Sequence, residues 1–374
     1  MQSFEFIDLI LFLGVSQGVF LAVTIQIIQN KNRDANKVLS IILLIASIML
    51  TGRLFYFRYS DSEWLFRVAA FVDTLIFVFG PLFYLYFRRL VFNETPLYKL
   101  HFSNFIPAAC MIGYYFWTLS YSYEEFFLLF NQGILVIPYF IMETVGIFFN
   151  IYYCYRCFQL IRTYQKEEKK NLSYSQSLIP FLYSFLITVL LFLTLWLLSY
   201  SKVYFLHVYT SVINYNLVWV SIPISIYVIG FYSLKQPEIF RMPLSKKNLT
   251  RNKERLEGQA IEDLNQKLEN LMVTEKIYLN HKLTLVDLAN QLNTSTNNVS
   301  WLLNNIHKSS FYDYINTYRV KTFVEKIEKG EHHHHTLLAL SMDSGFNSKS
   351  TFNKAFKTVI KDTPSNYIKK LNTI

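Results

Sequence analysis

Two stretches near the end of the chain carry amide, hydroxyl and lysine side chains at helical spacing, a chemistry suited to nucleic acid. Amides and hydroxyls hydrogen-bond to base edges in the major groove, and lysines neutralise phosphates. One such face would commonly be a solvated surface, but two in tandem favour DNA contact. The predicted contact residues are Ser295, Thr296, Asn297, Ser300, Trp301, Asn304 and Lys308 in the first stretch, and Ser348, Lys349, Ser350, Asn353, Lys354 and Lys357 in the second.

Helix start signals place each stretch on the second helix of a pair. Thr284-Leu-Val-Asp287 is a capping box that opens a short helix, and Ser295 is a suitable N-cap for the next helix. Ser348 is the corresponding cap in the second pair, after a short helix predicted over 336–342 and a tight turn. A longer helix, predicted over 311–329, connects the pairs. The sequence therefore predicts two helix-turn-helix motifs.

Three runs in this region resemble the signature of AraC/XylS-type transcription regulators. They are Phe311-Tyr-Asp-Tyr-Ile-Asn-Thr-Tyr-Arg319, Ser344-Gly-Phe-Asn-Ser-Lys-Ser-Thr-Phe-Asn-Lys-Ala-Phe-Lys357 and Thr363-Pro-Ser-Asn-Tyr367. The resemblance covers about the last hundred residues. It implies an all-helical domain whose two recognition helices, near 295–306 and 348–359, enter successive major-groove segments on one face of the duplex.

Two positions depart from the family pattern. Ser341 stands where the family usually has alanine, and Ile360-Lys361 replaces a customary glycine before the terminal Thr-Pro motif.

The composition suits two solvents within one chain. Hydrophobic residues make up 52% of the sequence and charged residues only 17%, which is too apolar for an ordinary soluble protein. Most Phe and Trp residues precede position 235, whereas Lys, Glu, Asn and Ser dominate afterwards. We therefore predict a seven-span transmembrane sensor domain over 1–234, a basic and helical connector over 235–273, and a DNA-binding domain over 274–374.

Seven segments are candidates for membrane crossing, because hydrocarbon about 30 Å thick needs roughly 20 apolar residues of helix. They are 6–28, 38–56, 66–87, 102–119, 134–155, 179–200 and 204–232, and the fourth is the shortest. Lys and Arg are retained on the cytoplasmic side, and they concentrate in the first, third and fifth loops. The sequence thus predicts an inner-membrane (cytoplasmic-membrane) protein with its N-terminus outside and its C-terminal domain in the cytoplasm.

Polar side chains inside these apolar segments are costly, so each needs a role. Those expected at similar depth are Arg53, Asp73, Glu143, His207, Asn214 and Asn216. They could bond helices to one another, with Arg53 paired to Asp73, or they could line an outward-facing pocket for a small ligand, a proton or an ion. These six residues are therefore a candidate signal pocket.

The connector begins with a basic stretch from Arg241 to Arg255, which suits anionic lipid headgroups. Leu256, Ile261, Leu264, Leu268 and Leu271 follow, the last four at helical spacing. This stripe predicts either a short coiled coil between two subunits or an amphipathic helix packed on its own domain. We favour the coiled coil, and hence a homodimer, because a signal must cross this segment.

Other reactive side chains give no catalytic or metal pattern. Cys154 and Cys157 have the spacing of a redox or metal motif but lack its surroundings, and Cys110 makes the cysteine count odd. The run His332–His335 lies between the two halves, and adjacent residues on a helix cannot all face one ion. The sequence contains no phosphate-binding glycine loop, His-Glu-x-x-His or Gly-x-Ser-x-Gly motif. We expect neither an enzyme nor a cofactor or metal.

The combined expectation is an all-α protein, with a seven-helix transmembrane bundle followed by a cytoplasmic AraC-type domain with two helix-turn-helix motifs. The expected partners are double-stranded promoter or operator DNA, the lipid bilayer, a second copy of the chain and an unknown small-molecule or membrane signal. These features predict a membrane-anchored, one-component transcription regulator. In this architecture the chain is similar to membrane-tethered regulators of the Bacteroidetes type. The alternative is a transporter or channel-like membrane protein with a regulatory DNA-binding tail.

Overall fold

The computed structural model describes residues 6–28, 32–58, 62–94, 96–176, 178–208, 214–234, 242–243 and 258–371. The chain divides into two compact units. The first unit comprises Met1–Arg162 and Ser177–Leu244, and the second comprises Thr163–Gln176 and Ser245–Ile374. Residues 163–176, which lie between two apolar segments in sequence, thus group with the C-terminal part of the chain.

In its described residues the first unit is helical, apart from a two-residue parallel pairing of Phe92–Asn93 with Met242–Pro243. A 3₁₀ turn at Phe102–Phe105 leads directly into its fifth α-helix. The helices are α1 (Phe6–Ile28), α2 (Arg33–Arg58), α3 (Glu63–Asp73), α4 (Ile76–Val91), α5 (Ile106–Thr118), α6 (Tyr123–Asn131), α7 (Val136–Asn171), α8 (Leu178–Tyr204) and α9 (Tyr215–Leu234). The last turns of α7 belong to the second unit.

Six helical stretches in the described part of the chain are long and apolar enough to cross a membrane. They correspond to α1, α2, α3 with α4, α7, α8 and α9. The predicted span 102–119 is different: its α-helix, α5, has only 13 residues. A helix of that length rises about 20 Å, short of the hydrocarbon thickness.

Two other predicted spans have different boundaries in the structure. The span predicted over 66–87 is interrupted between α3 and α4, where the buried Thr74 donates its hydroxyl hydrogen to the Phe71 carbonyl at 2.7 Å. The span predicted over 204–232 begins too early, because α8 continues to Tyr204 and α9 starts only at Tyr215.

Close helix contact in the first unit depends on small side chains. A Cβ atom added to Gly18 of α1 would lie 2.2 Å from the Ser47 hydroxyl of α2. The absence of a side chain lets these two backbones approach closely, and small residues commonly perform this role between helices in membranes.

Within residues 258–371, the second unit adds seven α-helices to the end of α7. They are α10 (Gln259–Val273), α11 (Leu285–Gln291), α12 (Thr296–Asn305), α13 (Phe311–Glu328), α14 (Leu337–Asp343), α15 (Lys349–Ile360) and α16 (Pro364–Leu371). One apolar cluster lies around α10 to α12 and the start of α13, and another lies around the end of α13, α14 and α15. Helix α13 therefore contributes to both halves, as the sequence predicts.

The leucine stripe of the connector packs on its own domain. Leu264, Leu268 and Leu271 of α10 lie in the same buried cluster as residues of α11 and α12. Leu268 is fully buried, so this face is not available to a coiled coil. The coiled-coil interpretation of this stripe was wrong, and the amphipathic-helix alternative describes it. The predicted basic stretch from Arg241 to Arg255 lies outside the described residues, apart from Met242 and Pro243.

Candidate functional site

Local hydrogen bonds start the first helix pair where the sequence predicts. Thr284 and Asp287 form a complete capping box at α11. The Ser295 hydroxyl accepts a hydrogen bond from the Asn298 backbone N–H at 3.2 Å, which starts α12. Buried Val299, Leu302 and Leu303 fix the rotation of α12 against the core. The opposite side of α12 must then face solvent.

The solvent side of α12 carries most of the predicted contact residues. Asn297, Trp301 and Asn304 are exposed, Ser300 is half-buried, and the cap places Ser295 and Thr296 at the helix start. The Asn304 amide donates to the Ser300 carbonyl at 2.7 Å, so its donor is engaged within the helix. Asn297 and Trp301 present the larger accessible groups.

The end of α12 differs from the prediction. Lys308 lies beyond the helix, in a left-handed backbone conformation with φ of 49°. It therefore belongs to the turn before α13 and does not extend the polar face of α12.

The second pair has the same construction. The Ser348 hydroxyl accepts from the Thr351 backbone N–H at 3.2 Å and starts α15. Phe352, Ala355 and Phe356 are buried in the core below. The exposed residues above them are Lys349, Ser350, Asn353, Lys354 and Lys357. Their spacing puts them along one side of α15, so the structure brings together the amide, the hydroxyl and the lysines predicted for this face.

A buried arginine joins several parts of the second unit through hydrogen bonds. It was not among the predicted functional residues. Arg319 of α13 is fully buried, and its Nε donates to the Tyr278 carbonyl at 2.7 Å. Its Nη2 donates to the Asn280 carbonyl at 2.7 Å, and its Nη1 donates to the Ser173 carbonyl at 2.8 Å. Burial lowers the pKa of the Arg319 guanidinium to about 10, so it stays charged at neutral pH. The sequence around Arg319 does not indicate these partners, because all three are distant from it along the chain.

The first unit contains a cavity of about 290 Å³. Arg53, Asp73 and Glu143, three of the six predicted pocket residues, line it together with many aromatic side chains that were not among those six. Those aromatic residues are Tyr56, Phe77, Tyr139, Phe192, Trp196, Tyr204, Tyr215 and Trp219.

The three acidic and basic groups of the cavity have different surroundings. The guanidinium carbon of Arg53 lies 4.7 Å from the ring centroid of Tyr56, and Arg53 also interacts electrostatically with Asp73. Glu143 Oε1 accepts hydrogen bonds from Trp196 Nε1 at 2.8 Å and from the Tyr215 hydroxyl at 2.7 Å. Glu143 Oε2 is buried and has no hydrogen-bond partner within the described ranges.

The other predicted pocket residues lie elsewhere. His207 is exposed after the end of α8, with φ of 52°. Asn214 precedes α9, and its side-chain oxygen accepts from the Asn216 backbone N–H at 2.9 Å. Asn214 thus has the bonding of a helix start, and Asn216 is exposed in the first turn. None of these three lines the cavity.

Among the described residues, neither the histidine run nor the cysteines belong to a group of side chains that could hold a metal ion. His332 and His333 lie in a 3₁₀ turn, Glu331–His333. Cys154 and Cys157 are free and buried. Across the ranges that the structure describes, no group of three or more His, Cys, Asp or Glu side chains could hold a metal ion.

Comparison with known families identifies the C-terminal part of the chain. A family model described as a helix-turn-helix domain matches residues 288–370, from within α11 to α16. Comparisons with curated proteins and with solved structures found no match. The chain therefore carries an AraC-type helix-turn-helix domain over residues 288–370, behind an N-terminal region of long apolar helices.

Proposed function

We propose that this protein is a membrane-anchored, one-component transcription regulator that binds DNA through both α12 and α15. The observation that carries the proposal is the repeated construction of these helices. Each begins at a capping serine, buries an apolar face and exposes an amide-bearing face. Such a face can reach base edges, while the lysines of α15 bind phosphates.

The DNA-binding part would be held at the membrane by the apolar helices of the first unit. We propose that α5 also crosses, as the fourth of seven spans. The 3₁₀ turn Phe102–Phe105 adds to α5, and together they rise about 28 Å, close to the hydrocarbon thickness. Tyr115 of α5 donates to the Arg67 carbonyl at 3.0 Å, and Tyr114 donates to the Leu135 carbonyl at 3.0 Å. These bonds support α5 as a member of the bundle.

Seven crossings agree with the distribution of basic residues. Lys31 precedes α2, and Arg33 and Lys37 lie in its first turns. Arg88 and Arg89 lie in the last turn of α4, and several basic residues follow residue 155 in α7. With seven crossings all three groups are cytoplasmic, as the positive-inside rule requires. With six, the α7 group and the α4 group would lie on opposite sides.

We further propose that the cavity of the first unit binds the signal, and that the signal is a small organic cation. Arg53 interacts with Asp73, so its charge is offset locally. Glu143 has hydrogen-bond donors on one oxygen only, within an aromatic wall. A carboxylate beside Trp and Tyr rings suits an ammonium group, which binds both by charge and by cation–π contact. Binding would favour one arrangement of the helices over another.

The cavity prediction concerns Glu143→Gln, which keeps the size of the side chain and removes the negative charge. Small alkylammonium and arylammonium compounds should raise the melting temperature of the purified full-length protein, and the variant should lose this rise. A ligand at about 100 times its Kd stabilises by about 2.7 kcal/mol. Glu124→Gln, on the exposed side of α6, is the control and should keep the effect. Equal stabilisation of both variants would contradict the cavity as the binding site.

The DNA prediction separates a phosphate contact from a base contact. Lys357→Ala should weaken binding on all sequences and reduce the salt dependence of log K by about 1, because one phosphate contact is lost. Asn353→Ala and Asn297→Ala should each cost about 1–3 kcal/mol on the preferred site and relax base preference at one position. The measurement is selection of binding sites from random DNA, followed by titration at several salt concentrations.

The exposed lysine at the end of α13 provides a matched control. Lys329→Ala removes one charge outside the two polar faces and should leave both affinity and base preference close to those of the unmodified protein. An identical loss on every sequence from Lys357→Ala, Asn353→Ala and Asn297→Ala would overturn the assignment of roles.

A further inference from the structure

The second unit includes a piece of chain that lies between two apolar helices in sequence. This α7–α8 segment comprises Thr163–Gln176, the last turns of α7 and the residues that follow it. Ser173 lies near the end of this segment and is fully buried. The Ser173 carbonyl accepts from Arg319 Nη1 at 2.8 Å and from the Asn316 amide at 3.0 Å. Both donors belong to α13, the helix that connects the two halves of the DNA-binding domain.

The same segment also pairs with the start of the first helix pair. The Ser173 backbone N–H and hydroxyl both donate to the Leu283 carbonyl, at 3.3 and 2.7 Å. Leu172 forms an antiparallel bridge with Thr284, the capping residue of α11. The segment is therefore hydrogen-bonded to the backbone directly before α11, as well as to α13.

Arg319 depends on the segment for a large part of its bonding. Two of its five hydrogen bonds end on Ser173, one on the carbonyl and one on the hydroxyl. A buried guanidinium without acceptors is strongly unfavourable. If the segment left, water or another group would have to replace these acceptors. The contact between the segment and α13 thus depends on directed hydrogen bonds from Arg319 to Ser173 and not on apolar packing alone.

The segment also contains a buried carboxylate, Glu168, that interacts with one of the predicted DNA-contact residues. Glu168 is buried, and its Oε1 accepts from the Gln176 backbone N–H at 2.7 Å, which holds the end of the segment. The same carboxylate interacts electrostatically with Lys354 of α15. A DNA phosphate near Lys354 would compete with this interaction.

Helix α7 connects the segment to the cavity without a break. It runs from Val136 to Asn171 and carries Glu143 in its third turn. A displacement of α7 would therefore move Ser173 with it.

We propose that the α7–α8 segment is the docking partner of the DNA-binding domain, and that it holds this domain to α7 independently of residues 235–257, the part of the connector that precedes α10. In this arrangement the position of α7 affects α13 and the start of α11 directly, through the hydrogen bonds of Ser173 and the bridge between Leu172 and Thr284. The proposal goes beyond DNA binding and ligand sensing, and it holds whether or not the cavity binds a cation.

The test separates the two attachments of the domain. A protease recognition sequence is placed within 244–257 of the full-length protein, and membranes that contain it are cut to completion and sedimented. If the segment holds the domain, the released C-terminal fragment should stay with the membranes. Ser173→Trp, which cannot fit the buried site, should increase the soluble fraction of the fragment about tenfold or more. Ser173→Ala, which keeps the carbonyl, should release an intermediate fraction.

Lys169→Trp is the control for bulk, because Lys169 is exposed in the same segment. It should retain the fragment as the unmodified protein does. The proposal is overturned if the fragment leaves the membranes of the unmodified protein after cutting, because docking would then be too weak. It is also overturned if Ser173→Trp retains the fragment fully, because lipid and not Ser173 would then hold it, or if Lys169→Trp releases as much as Ser173→Trp.

Discussion

Arg319→Ala is expected to lower the free energy of unfolding of the second unit by about 3–5 kcal/mol, a large share of the stability of a typical domain. The reason is that Arg319 is fully buried and bonds to three backbone carbonyls, those of Ser173, Tyr278 and Asn280. Hydrogen bonds to a charged group contribute about 1.5–3 kcal/mol each, and an unsatisfied buried carbonyl costs about 1–3 kcal/mol. The loss should therefore exceed that of an ordinary large-to-small substitution.

The measurement for Arg319 is pulse proteolysis of the full-length protein in increasing urea, followed through a C-terminal tag. Arg319→Lys keeps the charge but cannot reach several carbonyls at once, so it should also destabilise strongly. Lys321→Ala, an exposed position two residues later, is the control and should change stability by less than about 0.5 kcal/mol. A loss below about 1 kcal/mol for Arg319→Ala would show that its hydrogen bonds do not hold the unit together.

Gly345→Ala is expected to destabilise the second unit by about 3 kcal/mol or more, through strain and through a backbone clash. Gly345 has φ of 93°, in the turn between α14 and α15. A Cβ atom there would lie 2.6 Å from the Tyr278 carbonyl oxygen and 2.9 Å from Leu279 Cα. Tyr278 is also a partner of Arg319, so relief of the clash would disturb that bond.

Gly330 provides a matched control for Gly345. It has φ of 78°, but a Cβ atom there would come no closer than 3.6 Å to His333 Cδ2. Gly330→Ala should therefore cost only the left-handed backbone penalty, about 1–2 kcal/mol. Both variants can be compared by the same urea experiment. Equal losses would mean that backbone conformation alone, and not the contact with Tyr278, requires glycine at 345.

The helix starts and polar faces of the C-terminal part could be predicted because their causes are local. Thr284, Ser295 and Ser348 cap the helices that immediately follow them. Apolar residues at helical spacing determine which side of α15 is buried, and hence which side exposes Asn353 and Lys357. Short-range hydrogen bonds and periodicity carry all of this information.

The apolar character of the N-terminal helices could be predicted from the sequence, but the residues at which these helices begin and end could not. Apolar residues continue past the end of α8 at Tyr204, so hydropathy alone did not reveal where the helix stops. His207 and Asn214 were consequently placed inside a span. The break at Thr74 is likewise a local hydrogen-bond feature within an apolar run. Hydropathy indicates whether a stretch of residues is apolar enough to lie in a bilayer. It does not indicate where the helix in that stretch ends.

The connector stripe shows a different limit. Leucines spaced three and four apart suit a coiled coil and an amphipathic helix equally well. The choice depends on whether another part of the chain covers them. Leu264 and Leu268 lie in one buried cluster with residues of α11 and α12, which the local pattern around Leu256 to Leu271 cannot indicate.

The contact between Ser173 and Arg319 is not predictable from either neighbourhood. The two residues are 146 positions apart. Ser173 lies in an ordinary polar stretch between apolar segments, and Arg319 lies in a helix with several other charged residues. Only the folded chain shows that the buried guanidinium requires acceptors from the α7–α8 segment.

The most direct test of a membrane-anchored regulator is genome-wide mapping of DNA crosslinked to the intact protein in membranes. The comparison is a chain with Lys357→Ala and Asn353→Ala together, expressed at the same level. The account predicts discrete sites for the unmodified protein, recovered with the membrane fraction and lost in the double variant. Sites that persist in the double variant, or that are recovered only with a soluble C-terminal fragment, would contradict it.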